Sequence, residues 1–207
     1  MILDVSPTRM ELMRLKKRLI TARRGHKLLK DKQDELMRRF LELIEKSKGL
    51  RREVEAQLSQ TLSGFVVARA LMDEQGTQTA LALPRVKGKV EVSTSRIMNL
   101  KVPTLSTELT GNAVAYGMIN TPPELDISVR GFQKLLPRLL ELAALEKAIS
   151  LLGRELERTR QRVNALEYRL IPDLAETIHS ITLKLSERER STLSRLMKVK
   201  EMLAAEG

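Results

Sequence analysis

Leu12, Leu15, Leu19, Ala22, His26, Leu29, Gln33, Leu36, Phe40, Leu43, Ser47, Leu50 and Val54 follow one another at strict steps of three and four. That spacing predicts one long helix with a heptad seam, and a looser apolar pattern carries it through Leu58, Phe65 and Leu71. Its start lies near residue 7: Thr8 and Glu11 have capping-box spacing, and Ser6 before Pro7 is a competing cap one turn earlier. Gly25, Gly49 and Gly64 each weaken a helix by about 1 kcal/mol relative to alanine. No other breaker accompanies them, so the helix reads as continuous.

A second seam runs through Leu142, Leu145, Ile149, Leu152, Leu156, Thr159, Val163, Leu166 and Leu170, in a helix that begins between Ser128 and Pro137 and ends near Leu203. Beyond Leu170 the steps change, with Leu174 and Ile178 each four apart before Ile181 and Leu185 resume the alternation. An extra step of four is a stutter, which locally unwinds a supercoil. Pro172 sits inside it, removing one donor and crowding the Tyr168 carbonyl. The stretch from Arg160 to Pro172 therefore predicts a helix that changes its packing.

Between the two seams the pattern breaks at Gln75-Gly76-Thr77, Leu83-Pro84 and Gly88. Val86, Val90 and Val92 alternate with polar residues, and Met98, Leu100 and Val102 do so beyond Ser93-Thr94-Ser95, which predicts a short β-hairpin turning near those three residues. Pro103, Gly111, Gly117, Pro122 and Pro123 mark irregular chain, with Tyr116 and Phe132 as local anchors. The expected fold is mainly α: a long antiparallel two-helix coiled coil with a small β-hairpin-containing head at the turn. Residues 1–75 form the N-terminal shaft helix, 76–131 the head and 132–207 the C-terminal shaft helix. Shaft packing falls to Leu12, Leu15, Leu19, Leu29, Leu36, Phe40, Leu43, Val163, Leu166, Leu170, Leu174 and Ile178. Pairing Asp73 with Phe132 brings His26 level with His179 and Gln33 level with Pro172. A polar step is then expected to cross the shaft at Gln33, Tyr168 and Pro172.

Composition narrows the function. Aromatic residues make up 2% of the 207 residues and charged ones 30%, which suits an extended helical assembly better than a round core. The net charge of +11 is concentrated. Arg9, Arg14, Lys16, Lys17, Arg18, Arg23, Arg24, Lys27 and Lys30 face only Glu11 in the first run, and Lys184, Arg188, Arg190, Arg195, Lys198 and Lys200 outnumber Glu187 and Glu189 in the last. An antiparallel hairpin brings both runs to one tip.

Little else bears chemistry. There is no cysteine, no phosphate-binding glycine loop, and only two histidines. A two-helix shaft is expected to offer no pocket, so no catalytic, cofactor or metal site is expected. Met1-Ile2-Leu3-Asp4 starts no signal sequence, and the most apolar window, Phe65 to Met72, is short and holds Arg69, so membrane insertion is not expected. Three partners suit a basic tip: nucleic acid, a membrane surface, or a protein socket. The runs lack stacking aromatics and the wide apolar face of interfacial helices, yet a basic coiled-coil protein associated with nucleic acid stays open as an alternative.

Ser6-Pro7-Thr8-Arg9-Met10-Glu11-Leu12 and Arg23-Arg24-Gly25-His26-Lys27-Leu28-Leu29-Lys30-Asp31-Lys32, with Asp34-Glu35-Leu36, resemble the N-terminal helix of the D-subunit family of V-type and archaeal-type rotary ATPases. Arg162-Val163-Asn164-Ala165-Leu166-Glu167-Tyr168, Leu170-Ile171-Pro172, Arg188-Glu189-Arg190, Arg195-Leu196 and Lys198-Val199-Lys200 resemble its C-terminal helix. Two departures stand out: Asp173, where a basic or small residue is expected, and the end at Gly207, where a longer tail is expected. The resemblance implies a non-catalytic central rotor shaft, cytoplasmic and peripheral to the membrane, that transmits torque. Its basic tip (Arg9, Lys16, Lys17, Arg18, Arg23, Arg24, Lys27, Arg188, Arg190, Arg195, Lys198, Lys200) would meet the catalytic and regulatory head subunits. The hairpin end would meet the small F subunit and the socket subunit on the membrane ring. Nucleotide would bind other subunits.

Overall fold

The computed structural model describes residues 5–82, 85–117 and 121–205; Leu83 and Pro84, like the first four residues and Gly207, lie outside that range. Helix α1 spans Arg9–Leu71, α2 Glu74–Leu81, strand β1 Lys87–Ile97, β2 Leu100–Thr110, and α3 Pro123–Ala165; a π-helical turn at Leu166–Leu170 leads into α4, Ile171–Ala205. The chain divides into two compact units, Met1–Glu35 with Leu156–Gly207, and Leu36–Glu155.

In the first unit α1 and α4 run antiparallel, with Arg9 bonded to Glu189 and His26 to Glu167. Their seam holds Leu15, Ala22, Leu174 and Ile181 buried, with Leu12, Leu19, Leu170, Ile171, Ile178 and Leu185 packed around them. The Thr8 hydroxyl caps α1 by accepting from the Glu11 amide at 3.3 Å, so the later of the two start signals is used. The capping box is incomplete, because Glu11 turns instead to Arg14 at 3.2 Å and the Thr8 amide bonds the Ser6 carbonyl. Thr177 is fully buried in this unit and satisfies its hydroxyl on the Asp173 carbonyl at 2.6 Å.

The irregularity before Pro172 takes the form of the π turn, in which the Ile171 amide bonds the Leu166 carbonyl. A wider turn ahead of a proline moves backbone carbonyls away from its ring and fits the run of fours from Leu166 to Leu174. The expected polar step from Gln33 to Pro172 is not formed. Leu170, Ile171 and Leu174 belong to the cluster that holds Leu19 and Ala22, and Glu167 stands beside His26, which leaves Gln33 more than a turn farther along α1. His26 and His179 are likewise not level. The register slips because the residue that meets Phe132 is Phe65 and not Asp73.

In the second unit α1 and α3 are antiparallel, and the Phe65 and Phe132 rings meet edge to face at 6.4 Å. Leu36, Val54, Leu125, Leu135 and Leu152 are buried along this pair. The helices approach over small residues. A Cβ on Gly64 would stand 2.9 Å from the Ser128 hydroxyl, and one on Gly131 would stand 2.8 Å from the Thr61 hydroxyl. A side chain at position 64 would thus press on Ser128, whereas Gly25 and Gly49 have nothing within 4 Å.

Three boundaries differ from the sequence reading. Helix α3 starts at Pro123, because proline at a first helical position loses no bond, and Ser128 lies inside it with its hydroxyl on the Glu124 carbonyl at 2.8 Å. The residues around Gly76 form α2, capped by Asp73, which accepts from the Glu74 amide at 2.9 Å. The hairpin turns at Met98 and Asn99, not at Ser93-Thr94-Ser95. Those three continue β1, stitched to β2 by Ser93 on the Thr104 carbonyl, Ser95 on the Val102 carbonyl, and Thr104 on the Ser95 hydroxyl. Met98 holds a φ of 54°, which fits a two-residue hairpin turn and strains a residue with a Cβ.

Candidate partner-binding site

No group of three or more metal-ligating side chains occurs among the described residues. The features that stand out are surfaces, and the first lies at the end of the first unit. There Arg9 reaches Glu189 at 2.6 Å and Arg188 donates to the Pro7 carbonyl at 3.1 Å, which fastens the start of α1 to α4. Both links are exposed, and each contributes little on its own, about 0 to 1 kcal/mol.

Past this fastening α4 runs on to Ala205, and every residue from Ser186 to Leu203 is exposed. At 1.5 Å per residue the stretch from Arg190 onward is roughly 24 Å long. Leu193, Leu196, Met197 and Leu203 fall within one third of the helix circumference and are each more than half exposed. Arg190 borders this stripe, Lys200 lies within it, and Arg195 and Lys198 lie on the opposite face of the helix. Arg9, Lys16, Lys17, Arg18, Arg23, Arg24 and Lys27 on α1, and Arg188, Arg190, Arg195, Lys198 and Lys200 on α4, are all exposed in this same unit. The structure therefore brings the two basic runs together on one unit, and adds an apolar stripe that the charge map alone does not reveal. A signal for it exists in the spacing: after Leu185 the seam continues through Thr192, Leu196, Val199 and Leu203 although α1 has already begun at Arg9.

The residues assigned to shaft packing behave differently from the tip. Leu15, Leu36, Val163 and Leu174 are buried, and Leu12, Leu19, Leu29, Phe40, Leu43, Leu166, Leu170 and Ile178 are half-buried. Of the irregular positions, Gln33 is half-buried while Tyr168 and Pro172 are exposed. His26 lies 3.3 Å from Glu167 and His179 is exposed.

The second unit corrects the expectation that no pocket exists. A cavity of about 360 Å³ opens between α2, the base of the hairpin and α3, lined by Leu81, Val86, Leu109, Tyr116, Phe132 and Leu136 among others. Its wall is almost wholly apolar, and its ionisable group is the Tyr116 phenol, which donates to Asp126 at 2.8 Å. Burial and then that bond hold the phenol well above its ordinary value. The bond from this neutral phenol to Asp126 ties the segment before α3 to that helix at the apolar wall. In the same unit Arg51 pairs with Glu146, which raises the guanidinium pKa further, and Arg138 reaches Glu53 at 3.0 Å. No helix among the described residues is long and apolar enough to cross a membrane.

Comparison with known proteins gives one result. The family model described as the D subunit of ATP synthase matches residues 11–201. The V-type ATP synthase D subunit of Acetivibrio thermocellus is 51% identical over 206 residues, covering 98% of this chain and 93% of that one. The D subunits of Fusobacterium nucleatum (51% over 204 residues, 97% of each chain) and Clostridium novyi (50% over 209 residues, 99% and 97%) are similarly close.

Proposed function

Since this chain belongs to the D-subunit family of ATP synthases, we propose that it is the non-catalytic central-stalk subunit of a V-type ATP synthase, whose unaccompanied α4 end engages the catalytic head. The family displaces the nucleic-acid reading of the basic runs. The observation that carries the head assignment is the exposed end of α4, where an apolar stripe and basic residues from both chain ends share one unit. A helix end that leaves leucines and methionines in water lowers its free energy by entering an apolar sleeve, at about 25 cal/mol per Å² covered. The arginines and lysines of the same helix end suit acidic or polar walls. Individually weak, screened contacts allow one bound orientation to give way to the next, as a turning shaft requires.

Torque then passes along the paired helices of this chain, while nucleotide is bound and cleaved by other subunits. The hairpin and α2 form the part that joins the small F subunit and the socket subunit of the membrane ring, and the chain sits peripheral to the membrane through them. The absence of a phosphate-binding loop supports a role without chemistry of its own.

Two variants test the head contact. Neutralising Arg18, Arg23 and Arg24 together to glutamine is expected to weaken binding to the isolated head at low salt and to matter little at high salt. Changing Leu193, Leu196 and Leu203 to serine is expected to weaken it at both. Titration of each variant against the head at two salt concentrations is the measurement, and unchanged affinity throughout rejects the assignment.

A further inference from the structure

The two outer edges of the hairpin are not equivalent. With a two-residue turn at Met98 and Asn99, Ile97 and Leu100 form the closing pair, whose backbone groups bond each other. Pairs then alternate. Ser95 with Val102, Ser93 with Thr104, Glu91 with Ser106 and Lys89 with Glu108 bond inward, whereas Gly88, Val90, Val92, Thr94 and Arg96 of β1 turn their amides outward. Pro103 agrees with this phase: it faces Thr94 in an outward-turned pair, where its missing N–H costs the ladder nothing. The outer edge of β2 is therefore interrupted at its middle by a proline. The outer edge of β1 carries an unbroken row.

That row is open. Every residue from Lys87 to Arg96 is exposed, and the sheet has two strands among the described residues. Val90 and Val92 are 49% and 69% exposed, and they share one face with Thr107 and Leu105 opposite them. Arg96 and Lys101 form a cross-strand pair at the turn end of that same face. Lys87 and Lys89 add positive charge at the other end of β1, against Glu91 alone. Positive edge residues oppose pairing of β1 with a second copy of itself, and the net charge of +11 adds to the repulsion.

We infer that the outer edge of β1 is a strand-addition site for an extended segment of a partner protein, apolar at the alternate positions that face Val90 and Val92 and acidic where it meets Arg96 and Lys101. Main-chain bonds to the outward amides supply the attachment, and the valine strip and the basic pair select the register. This rests on the reading that the chain assembles with other subunits, but not on which of them supplies the strand.

Hydrogen exchange of the free chain and of the chain within its assembled ATP synthase complex tests it. In the free chain the amides of Lys89, Glu91, Ser93 and Ser95 are expected to be protected and those of Val90, Val92, Thr94 and Arg96 to exchange fast. In the complex the second set is expected to slow by at least about tenfold, which restores protection along consecutive residues. Val92→Pro removes an outward amide without touching the ladder and should abolish the added protection, whereas Thr107→Pro on the blocked edge should not. Should Val92→Pro disturb the hairpin, seen as loss of protection at Glu91 and Ser93, the double charge reversal Arg96→Glu with Lys101→Glu serves in its place and should lower the added protection. Fast exchange of the outward amides in the assembled complex overturns the site while leaving subunit assembly intact. Protection that appears in the free chain with rising concentration, together with a dimer mass, overturns it in favour of self-pairing. A chain that joins no complex overturns both this inference and the proposed function.

Discussion

Both units pack antiparallel helices, but different things stand between them. In the first, α1 and α4 are spaced by whole leucine and isoleucine side chains, with Leu174 and Ile181 at the centre. In the second, α1 and α3 close over Gly64, Ser128, Gly131 and Thr61, where the absence of side-chain volume makes the contact. A seam of large side chains gains stability from volume and loses it when volume is removed. A glycine crossing works in the opposite sense. Glycines of one helix therefore cannot be given one meaning, since Gly25 and Gly49 of α1 face open space and Gly64 faces a hydroxyl.

Removing volume from the leucine seam should produce the largest change. Leu174→Ala, at a site with 0% exposure, is expected to destabilise the first unit by about 2–5 kcal/mol, read as a lower denaturant midpoint. Adding volume at the crossing comes next. In Gly131→Ala the new Cβ meets Thr61, a β-branched residue whose hydroxyl is already held by the Gln57 carbonyl at 2.7 Å. Its rotation is restricted, so the gain in helix propensity is outweighed and a net loss of about 1–2 kcal/mol is expected. Gly25→Ala, measured in the same way, should instead stabilise by up to ~1 kcal/mol. Equal signs for the two glycine substitutions would remove the distinction between the units.

A smaller effect concerns the second unit alone. The Tyr116 phenol is held above its ordinary 10.0 by burial and by its bond to Asp126. A group with a raised folded pKa contributes stability that is fully present below the unfolded value and is lost as pH rises through the folded one. Wild type should therefore lose stability relative to Tyr116→Phe only above about pH 10, with a constant difference at lower pH. Urea midpoints of both proteins across that range provide the check, and parallel curves would mean that the phenol is not shielded.

Much of this fold is legible in the sequence because helices announce themselves by period. The steps of three and four through Leu12, Leu15, Leu19 and Ala22 correspond to residues that line a buried seam, and the fours around Leu170 mark where the π turn forms. Capping at Thr8 is legible as one of two choices. The boundary at Pro123 is not, since proline can end one segment or open the next. Alternating serines and threonines in β1 look like a turn until their hydroxyls find carbonyls across the ladder.

The candidate site divides in the same way. Basic residues are visible as letters, so both runs stand out in the sequence, but the apolar stripe of Leu193, Leu196, Met197 and Leu203 reads as more seam unless one knows where the opposite helix stops. That depends on the register between α1 and α4, fixed by contacts such as Arg9 with Glu189 and His26 with Glu167. Sequence by itself determined the helices, the heptad faces, the disturbed turn before Pro172 and the placing of charge at the two chain ends, because each of these is a property of neighbours along the chain. Tertiary structure decided the register, the glycine crossing, the apolar cavity and which leucines remain in water. Those follow from distances between residues far apart in the chain, where a shift of a few positions exchanges a buried side chain for an exposed one.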